Sequence, residues 1–174
     1  GFIGNRLGTL WVQVATNAAE DHGLTIEESD ALAGRHFGIP STGIFKLMDL
    51  VGLDLGPYVS KSLYDNVNQG DMFREEYRES KLLGEMIAEG YTGRKGKGGW
   101  YRMTKIDGQR VKEVKDLKTG EYRPVQKAKG AALAVSKKGA RAVFDAGDTL
   151  AQAAWEYMSK YFVYAADHAL DIAN

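Results

Sequence analysis

The chain has 174 residues, of which 44% are hydrophobic, and its 23 basic residues balance its 23 acidic residues. This apolar content is sufficient for a folded core, but no apolar stretch approaches the ~20 residues needed to span a bilayer. The absence of cysteine excludes disulfides, thiolate nucleophiles and cysteine-ligated zinc. The sequence therefore predicts a globular protein with no membrane insertion and no secretion signal, and we expect it in the cytoplasm.

Both ends of the sequence lie inside helical patterns. Gly1-Phe2-Ile3 has no initiator Met and no capping residue before it, and the pattern around Asp167-His168 runs to Asn174 without a stop signal. We therefore expect a piece of a longer protein, which need not contain a complete active site.

The neutral overall charge hides a basic middle. Residues 102–141 contain 12 basic and 4 acidic side chains, whereas residues 1–101 and 142–174 are both net acidic. Such a segment could attract phosphates, but a solvated hairpin and linker is the commoner explanation.

Apolar residues recur at helical spacing in five segments of the first region. Thr25 to Glu28 form a capping box, which predicts a helix start, and Gly23 and Gly52 supply stop signals. The predicted helices cover residues 3–23, 25–38, 40–52, 59–64 and 75–89.

From about residue 100, the spacing of apolar residues changes from that of helices to that of β-strands. Short strand-like runs lie at residues 100–103, 110–114 and 122–125, and the turn pairs Asp107-Gly108 and Thr119-Gly120 separate them. They predict a small β-meander, with Pro124 at an edge or an end because it cannot donate to a ladder.

A last helix is predicted from about Thr149 to Ile172. Its aromatic residues lie around nearly the whole circumference, so it should be covered on more than one side. Either it packs over the first helices, or it belongs to an interface that this chain does not contain.

Three ordered motifs resemble the C-terminal domain of the 3-hydroxyacyl-CoA dehydrogenase family. They are a GF-x-x-NR helix start at residues 1–6, a loop and helix at 38–54, and a Gly-rich segment ending in Trp-Tyr at 90–101. The sequence departs from the family pattern at Ser41-Thr42-Gly43-Ile44, where Met-Gly-Pro is usual, and at Gly96, where Thr or Asn is usual. These departures affect loop details rather than the resemblance.

The resemblance implies a mainly α fold of the 6-phosphogluconate-dehydrogenase C-terminal type. The C-terminal helical domain of the dehydrogenase would cover residues 1–102. A basic β-meander linker would cover 103–130, and the start of a second, incomplete C-terminal-type repeat would cover 131–174. A weak similarity between residues 11–22 and 160–168 supports that repeat.

Members of this family oxidise 3-hydroxyacyl-CoA to 3-oxoacyl-CoA with NAD in fatty-acid β-oxidation. The resemblance implies that NAD and a His–Glu catalytic pair belong to an N-terminal Rossmann domain outside this chain. We therefore expect no catalytic pair and no bound cofactor within the chain, which alone should be inactive. A homodimer and a fused enoyl-CoA hydratase domain are further partners that the family suggests.

Asn5 is the residue that we assign to the substrate site. It points ~160° away from the stripe that begins with Ile3 and Leu7, at about 100° per residue, so core packing does not account for it. An exposed polar residue is the alternative, but the GF-x-x-NR motif implies a position next to the 3-oxygen of the substrate. For Arg6 we expect a structural ion pair, with Asp49 or Asp54 as partner.

The remaining polar signals are weaker. His22 and His36 lie near predicted helix ends, where capping or exposure is commoner than catalysis. His168 has Asp167 and Asp171 nearby but no third ligand, so we assign no metal. The glycines at 93–99 follow no buried strand and precede no helix, so they do not predict a dinucleotide site.

Two other classes of function remain open. The aromatic tail helix would suit a non-enzymatic helical interaction or oligomerisation module. Arg94, Lys95, Lys97 and the basic linker could contact nucleic acid, but no aromatic pair on a strand accompanies them, so we expect no nucleic-acid partner.

Overall fold

The computed structural model describes residues 3–169, and it is mainly helical with one small sheet. The helices and strands follow one another in this order: α1 Ile3–Asp21, α2 Ile26–Leu32, a 3-10 turn Arg35–Phe37, α3 Phe45–Val51, α4 Leu55–Asn66, α5 Met72–Glu76, α6 Lys81–Ala88, β1 Tyr101–Ile106, β2 Gln109–Lys115, β3 Tyr122–Pro124, α7 Ala131–Val135, a 3-10 turn Ser136–Lys138, α8 Ala140–Phe144 and α9 Thr149–Asp167. The predicted mainly α fold with a small β-meander is confirmed.

Helices α1 and α9 form the centre of the core, and they run antiparallel. Arg6 near the start of α1 contacts Tyr164 near the end of α9, whereas His22 after α1 contacts Glu156. Small residues let the two backbones approach closely. Alanines of both helices, including Ala15 and Ala153, line one internal cavity of about 10 Å³.

The tail helix is covered on one side only. Its buried face includes Ala154 and Met158, whereas Trp155, Phe162 and Val163 are 61%, 58% and 49% exposed. Of the two arrangements expected for this helix, packing over the first helices is therefore observed, but the expected cover on more than one side was wrong for the described residues. The expected end near Ile172 lies outside the described residues.

The sheet is an antiparallel meander in the order β1-β2-β3. Tyr101 pairs with Val114 and Ile106 with Gln109, so that Asp107-Gly108 forms the two-residue turn. Both turn residues have positive φ, 51° and 79°, as a hairpin turn of this length requires. Pro124 ends β3, as predicted.

The predicted helix at 75–89 is wrong as a single element. The structure has α5 and α6 with extended backbone at Tyr77 and Ser80 between them. Two amides of α1 stabilise this break: Asn17 Nδ2 donates to the Glu76 carbonyl at 2.8 Å, and Gln13 Nε2 donates to the Arg78 carbonyl at 3.3 Å. Because those carbonyls are bonded by α1, the helix need not continue to satisfy them.

Helix α3 also begins later than predicted, at Phe45. The buried carboxylate of Asp30 accepts a hydrogen bond from the Phe45 backbone N–H at 2.7 Å, which caps the helix from α2. Gly43, with φ of 81°, lies so close to Asp30 that a Cβ there would meet its Oδ1 at 2.6 Å.

Within residues 3–169, no helix is long and apolar enough to cross a membrane.

Candidate functional site

Asn5 lies on the first turns of α1 and is exposed. Its backbone carbonyl accepts a hydrogen bond from Thr9 Oγ1 at 2.7 Å. In the described part of the chain, no group forms a hydrogen bond with the side-chain amide of Asn5. The amide therefore keeps both its N–H donors and its carbonyl acceptor for another molecule.

Arg6, the next residue, is fixed by three contacts. Its Nη2 lies 2.5 Å from Asp71 Oδ2, its Nε donates to Tyr164 Oη at 2.7 Å, and its Nη2 lies 3.1 Å from His168 Nε2. We call Arg6, Asp71, Tyr164 and His168 the Arg6 cluster. It joins α1, the start of α5 and the end of α9, and so holds the turn that carries Asn5.

The charge of Arg6 is stabilised in place. Partial burial acts to lower its pKa, but the hydrogen bonds and charges of Tyr164 and Asp71 outweigh this effect and raise the pKa above its usual range. For the Tyr164 hydroxyl, burial acts in the opposite direction and raises the pKa, so this group stays neutral more readily. The guanidinium thus stays charged and its charge is compensated by Asp71, whose side chain is only 3% exposed.

The expected ion pair of Arg6 exists, but the proposed partners were wrong. Asp49 instead accepts backbone N–H groups of Trp100 and Tyr101 at 2.8 and 2.9 Å, and Asp54 is exposed at the start of α4. The true partner, Asp71, is the N-cap of α5 and also accepts from Phe73 N. That capping position was recognisable in the sequence, but nothing local links it to Arg6.

The histidines have structural contacts. His22 Nε2 lies 2.8 Å from Glu156 Oε2 and so connects α1 with α9. Burial lowers the pKa of His36, which packs against Phe37. His168 joins the Arg6 cluster, which the sequence did not reveal. Among residues 3–169, no group of three or more His, Cys, Asp and Glu side chains could hold a metal ion.

The Gly-rich segment is packed around Asp49. A Cβ at Gly93 would lie 2.5 Å from the Asp49 carbonyl oxygen, and one at Gly99 would overlap the Asp49 carboxylate. The Arg94 N–H donates to that same carbonyl at 2.9 Å. The glycines therefore permit a close backbone approach to α3, and their contacts account for the motif without a bound phosphate.

The family model described as the 3-hydroxyacyl-CoA dehydrogenase C-terminal domain matches residues 1–103. The chain belongs to this family. The resemblance that the three motifs suggested is thereby confirmed, and it assigns the chain to an oxidoreductase family of fatty-acid oxidation.

Curated relatives agree with this assignment. A fatty acid oxidation complex trifunctional enzyme of Rickettsia prowazekii (strain Madrid E) is 36% identical over 73% of the chain and 18% of its own length. A 3-hydroxyacyl-CoA dehydrogenase of Bacillus subtilis (strain 168) is 30% identical over 99% of the chain and 22% of its own length. The chain thus spans about a fifth of these relatives. No solved structure matches the chain.

Proposed function

We propose that the full-length protein is an NAD-dependent L-3-hydroxyacyl-CoA dehydrogenase of fatty-acid β-oxidation, and that this chain supplies the substrate side of its active site. The family match and the names of the relatives support the reaction class. The exposed amide of Asn5, free of partners within residues 3–169 and adjacent to the fixed Arg6, is the observation that supports the site.

NAD and the catalytic His–Glu pair belong, in this proposal, to a Rossmann domain elsewhere in the full-length protein. The described residues do not fit a dinucleotide: their strands form an antiparallel meander, whereas a dinucleotide site needs a parallel βαβ unit with a Gly-rich turn. The backbone of the Gly-rich segment is already bonded to Asp49. Because of this, the 174-residue chain alone is expected to be inactive.

Asn5 would contact the 3-oxygen of the acyl-CoA substrate. A neutral amide can donate a hydrogen bond to an oxygen that changes charge during the reaction, without adding a charge of its own. Its position on a helix, beside a residue held by three contacts, limits its movement. The Arg6 cluster is then a support for Asn5 rather than a reacting group.

The test is the variant Asn5→Ala in the full-length enzyme. The fold should remain nearly intact, with a stability change below about 0.5 kcal/mol, because the side chain is exposed. We expect kcat to fall by on the order of tenfold to a thousandfold when a 3-oxoacyl-CoA is reduced with saturating NADH. Asn5→Asp should be at least as damaging, since its charge would oppose the electron-rich oxygen.

The matched control is Asn68→Ala, because Asn68 is another exposed amide and lies in the loop before α5. It should leave kcat unchanged. Wild-type kcat in Asn5→Ala would remove Asn5 from the site. Unfolding without a specific kinetic loss would give Asn5 a structural role.

We further propose that residues 131–174 begin a second repeat of the domain. Helices α1 and α9 both have 19 residues and pack against each other. The Bacillus relative matches nearly the whole chain, including this part. The name of the Rickettsia relative favours a multifunctional protein, and an enoyl-CoA hydratase domain would be one of its further parts. We also propose that the protein is cytoplasmic.

A non-enzymatic oligomerisation module is the alternative. The exposed strip of Trp155, Phe162 and Val163 on α9 favours it, since large exposed apolar patches mark contact surfaces. A homodimer would use the same strip in the enzyme. If the full-length protein shows dehydrogenase activity that depends on Asn5, oligomerisation is not its only function.

A further inference from the structure

The start of α1, which carries Asn5, is only weakly held by the core. Leu10 is the first residue of this helix whose side chain is buried. Gly4 and Gly8 lie on either side of Asn5 in the sequence, and a Cβ at either position would meet open space. Close packing therefore does not explain these glycines, which weaken a helix. The turn that carries Asn5 needs support from outside α1.

Arg6 provides this support through two partners on other elements. Its Nη2 bonds Asp71 Oδ2 at the start of α5, and its Nε donates to Tyr164 Oη at 2.7 Å. Its guanidinium carbon also lies 5.5 Å from the centre of the Tyr164 ring. The carboxylate balances the charge of the guanidinium, and the second bond, from a different nitrogen, fixes the direction of its plane.

Tyr164 is a rigid partner for Arg6. Its side chain is 1% exposed, and its ring packs edge-on against that of His168, with 4.4 Å between the ring centres. It lies near the end of α9, and this helix packs along α1. Because a closely packed ring has little freedom to move, its hydroxyl offers Arg6 an acceptor at a fixed position.

We propose that Tyr164 is a positioning residue for the dehydrogenase reaction: it holds Arg6, and through the backbone of α1 it holds Asn5 in place for the substrate. This inference rests on the proposed function of Asn5. Tyr164 lies well beyond residue 103, where the family match ends. The segment that follows the matched domain thus contributes to the active site without touching the substrate.

The contribution of Tyr164 belongs to turnover more than to substrate binding. Asn5 is proposed to donate to an oxygen that gains electron density in the transition state, and such a bond depends strongly on the position of the donor. A bond that strengthens in the transition state changes kcat, whereas contacts made equally with the bound substrate change KM.

The test variant is Tyr164→Phe in the full-length enzyme, which keeps the buried ring and removes only the hydroxyl. The matched control is Tyr157→Phe on the same helix. Tyr157 is 3% exposed, and its hydroxyl donates to the Leu32 carbonyl at 3.4 Å. Both variants lose one buried hydroxyl, but only the first loses a contact with Arg6. Thermal melting checks that both variants fold.

We expect Tyr164→Phe to lower kcat by about three- to tenfold when a 3-oxoacyl-CoA is reduced with saturating NADH, and to change KM by less than about twofold. Tyr157→Phe should leave both constants unchanged. Amide hydrogen exchange in a peptide that covers residues 3–10 should be faster in Tyr164→Phe than in the control. Wild-type kcat in Tyr164→Phe, or an equal loss in both variants, would overturn the proposal.

A double variant separates positioning from a general loosening of the fold. If Tyr164 acts through Asn5, adding Tyr164→Phe to Asn5→Ala should lower kcat no further, because the bond that depends on position is already absent. A further loss as large as that in the wild-type background would show that Tyr164 does not act through Asn5, and the proposal would fail.

Arg6→Lys tests the same contact from the other side. It keeps a positive charge opposite Asp71 but removes the Nε–H that Tyr164 accepts. It should lower kcat with little change in KM, and it decides the question if Tyr164→Phe does not fold. Wild-type kcat in Arg6→Lys would contradict a positioning role.

The outcome is separable from that of the proposed function. Turnover that depends on Asn5 but not on the Tyr164 hydroxyl would overturn this inference alone. Wild-type kcat in Asn5→Ala would overturn the proposed site and this inference with it.

Discussion

Asp49 connects three parts of the chain through one residue. Its carboxylate accepts the N–H groups of Trp100 and Tyr101, and its carbonyl accepts that of Arg94. Burial, assisted by the nearby charge of Asp30 and opposed by these hydrogen bonds, raises the pKa of Asp49 from 3.8 to about 6. The residue therefore binds its proton more tightly in the folded chain than in the unfolded chain.

This pKa predicts a pH dependence of stability. As pH rises from about 4 to about 6, the unfolded chain loses the Asp49 proton first, so folding becomes less favourable, by on the order of 1–3 kcal/mol. Asp49→Asn should be less stable overall, because the amide loses one of the two backbone hydrogen bonds that the carboxylate accepts. Its stability should depend less on pH, because an amide cannot ionise in this range. Urea unfolding between pH 4 and 7 measures both. Identical slopes in the two proteins would contradict the raised pKa.

The Arg6 cluster predicts that removing a buried carboxylate lowers the free energy of unfolding more than removing an exposed one. Asp71→Asn removes the charge that balances Arg6 and turns an amide donor toward its guanidinium, while the amide oxygen can still cap α5. We therefore expect a loss of about 1–3 kcal/mol in the free energy of unfolding. Asp145→Asn is the control, because Asp145 pairs with Arg141 on the surface, where the side chains are 61% and 89% exposed. Its loss should stay below about 0.5 kcal/mol. Equal losses would show that the Arg6 cluster adds nothing to stability.

At the scale of residues, the sequence predicted that Asn5 faces away from the core and that Arg6 has an ion-pair partner, but it did not predict which residue that partner is. The position of Asn5 follows from helical periodicity, which is local. Asp71 is 65 positions from Arg6, and His168 is 162 positions away. Such contacts depend on how the helices are arranged, and periodicity carries no information on that arrangement.

At the scale of elements, local chemistry predicted starts and turns well. The capping box at Thr25 is present with both of its hydrogen bonds, and the Asp107-Gly108 turn sets the hairpin register. The break between α5 and α6 was missed because its carbonyls are satisfied by side chains of α1. A segment with helical periodicity can thus be interrupted when another element takes over its backbone hydrogen bonds.

The outer face of α9 gives a prediction for this element. Trp155→Gln/Phe162→Gln should change the free energy of unfolding by about 1 kcal/mol or less, because both side chains are mostly exposed. If the strip mediates a dimer, the sedimenting mass should fall. Met158→Gln, at a position 2% exposed, is the contrasting variant and should cost more than about 2 kcal/mol. A large loss in the double variant would show that the strip is covered within the chain.

For the whole molecule, the absence of a parallel βαβ unit among the described residues gives a prediction for cofactor binding. The chain alone should show no measurable affinity for NAD in calorimetry, while the full-length protein should bind it. The expected circular-dichroism spectrum is mainly helical with a small strand contribution, which verifies the fold of the sample. Micromolar binding of NAD by the folded chain would contradict the proposed division of the enzyme.

The antiparallel packing of α1 and α9 affects how this family's domain boundaries should be understood. The matched region ends at residue 103, yet the buried face of α1 lies against a helix that begins at Thr149. A protein cut at the end of the match would expose that face to water and would aggregate more readily. The family match therefore ends before the helical core is complete, and mutations in one of these two helices should be tolerated according to the residues that face them in the other.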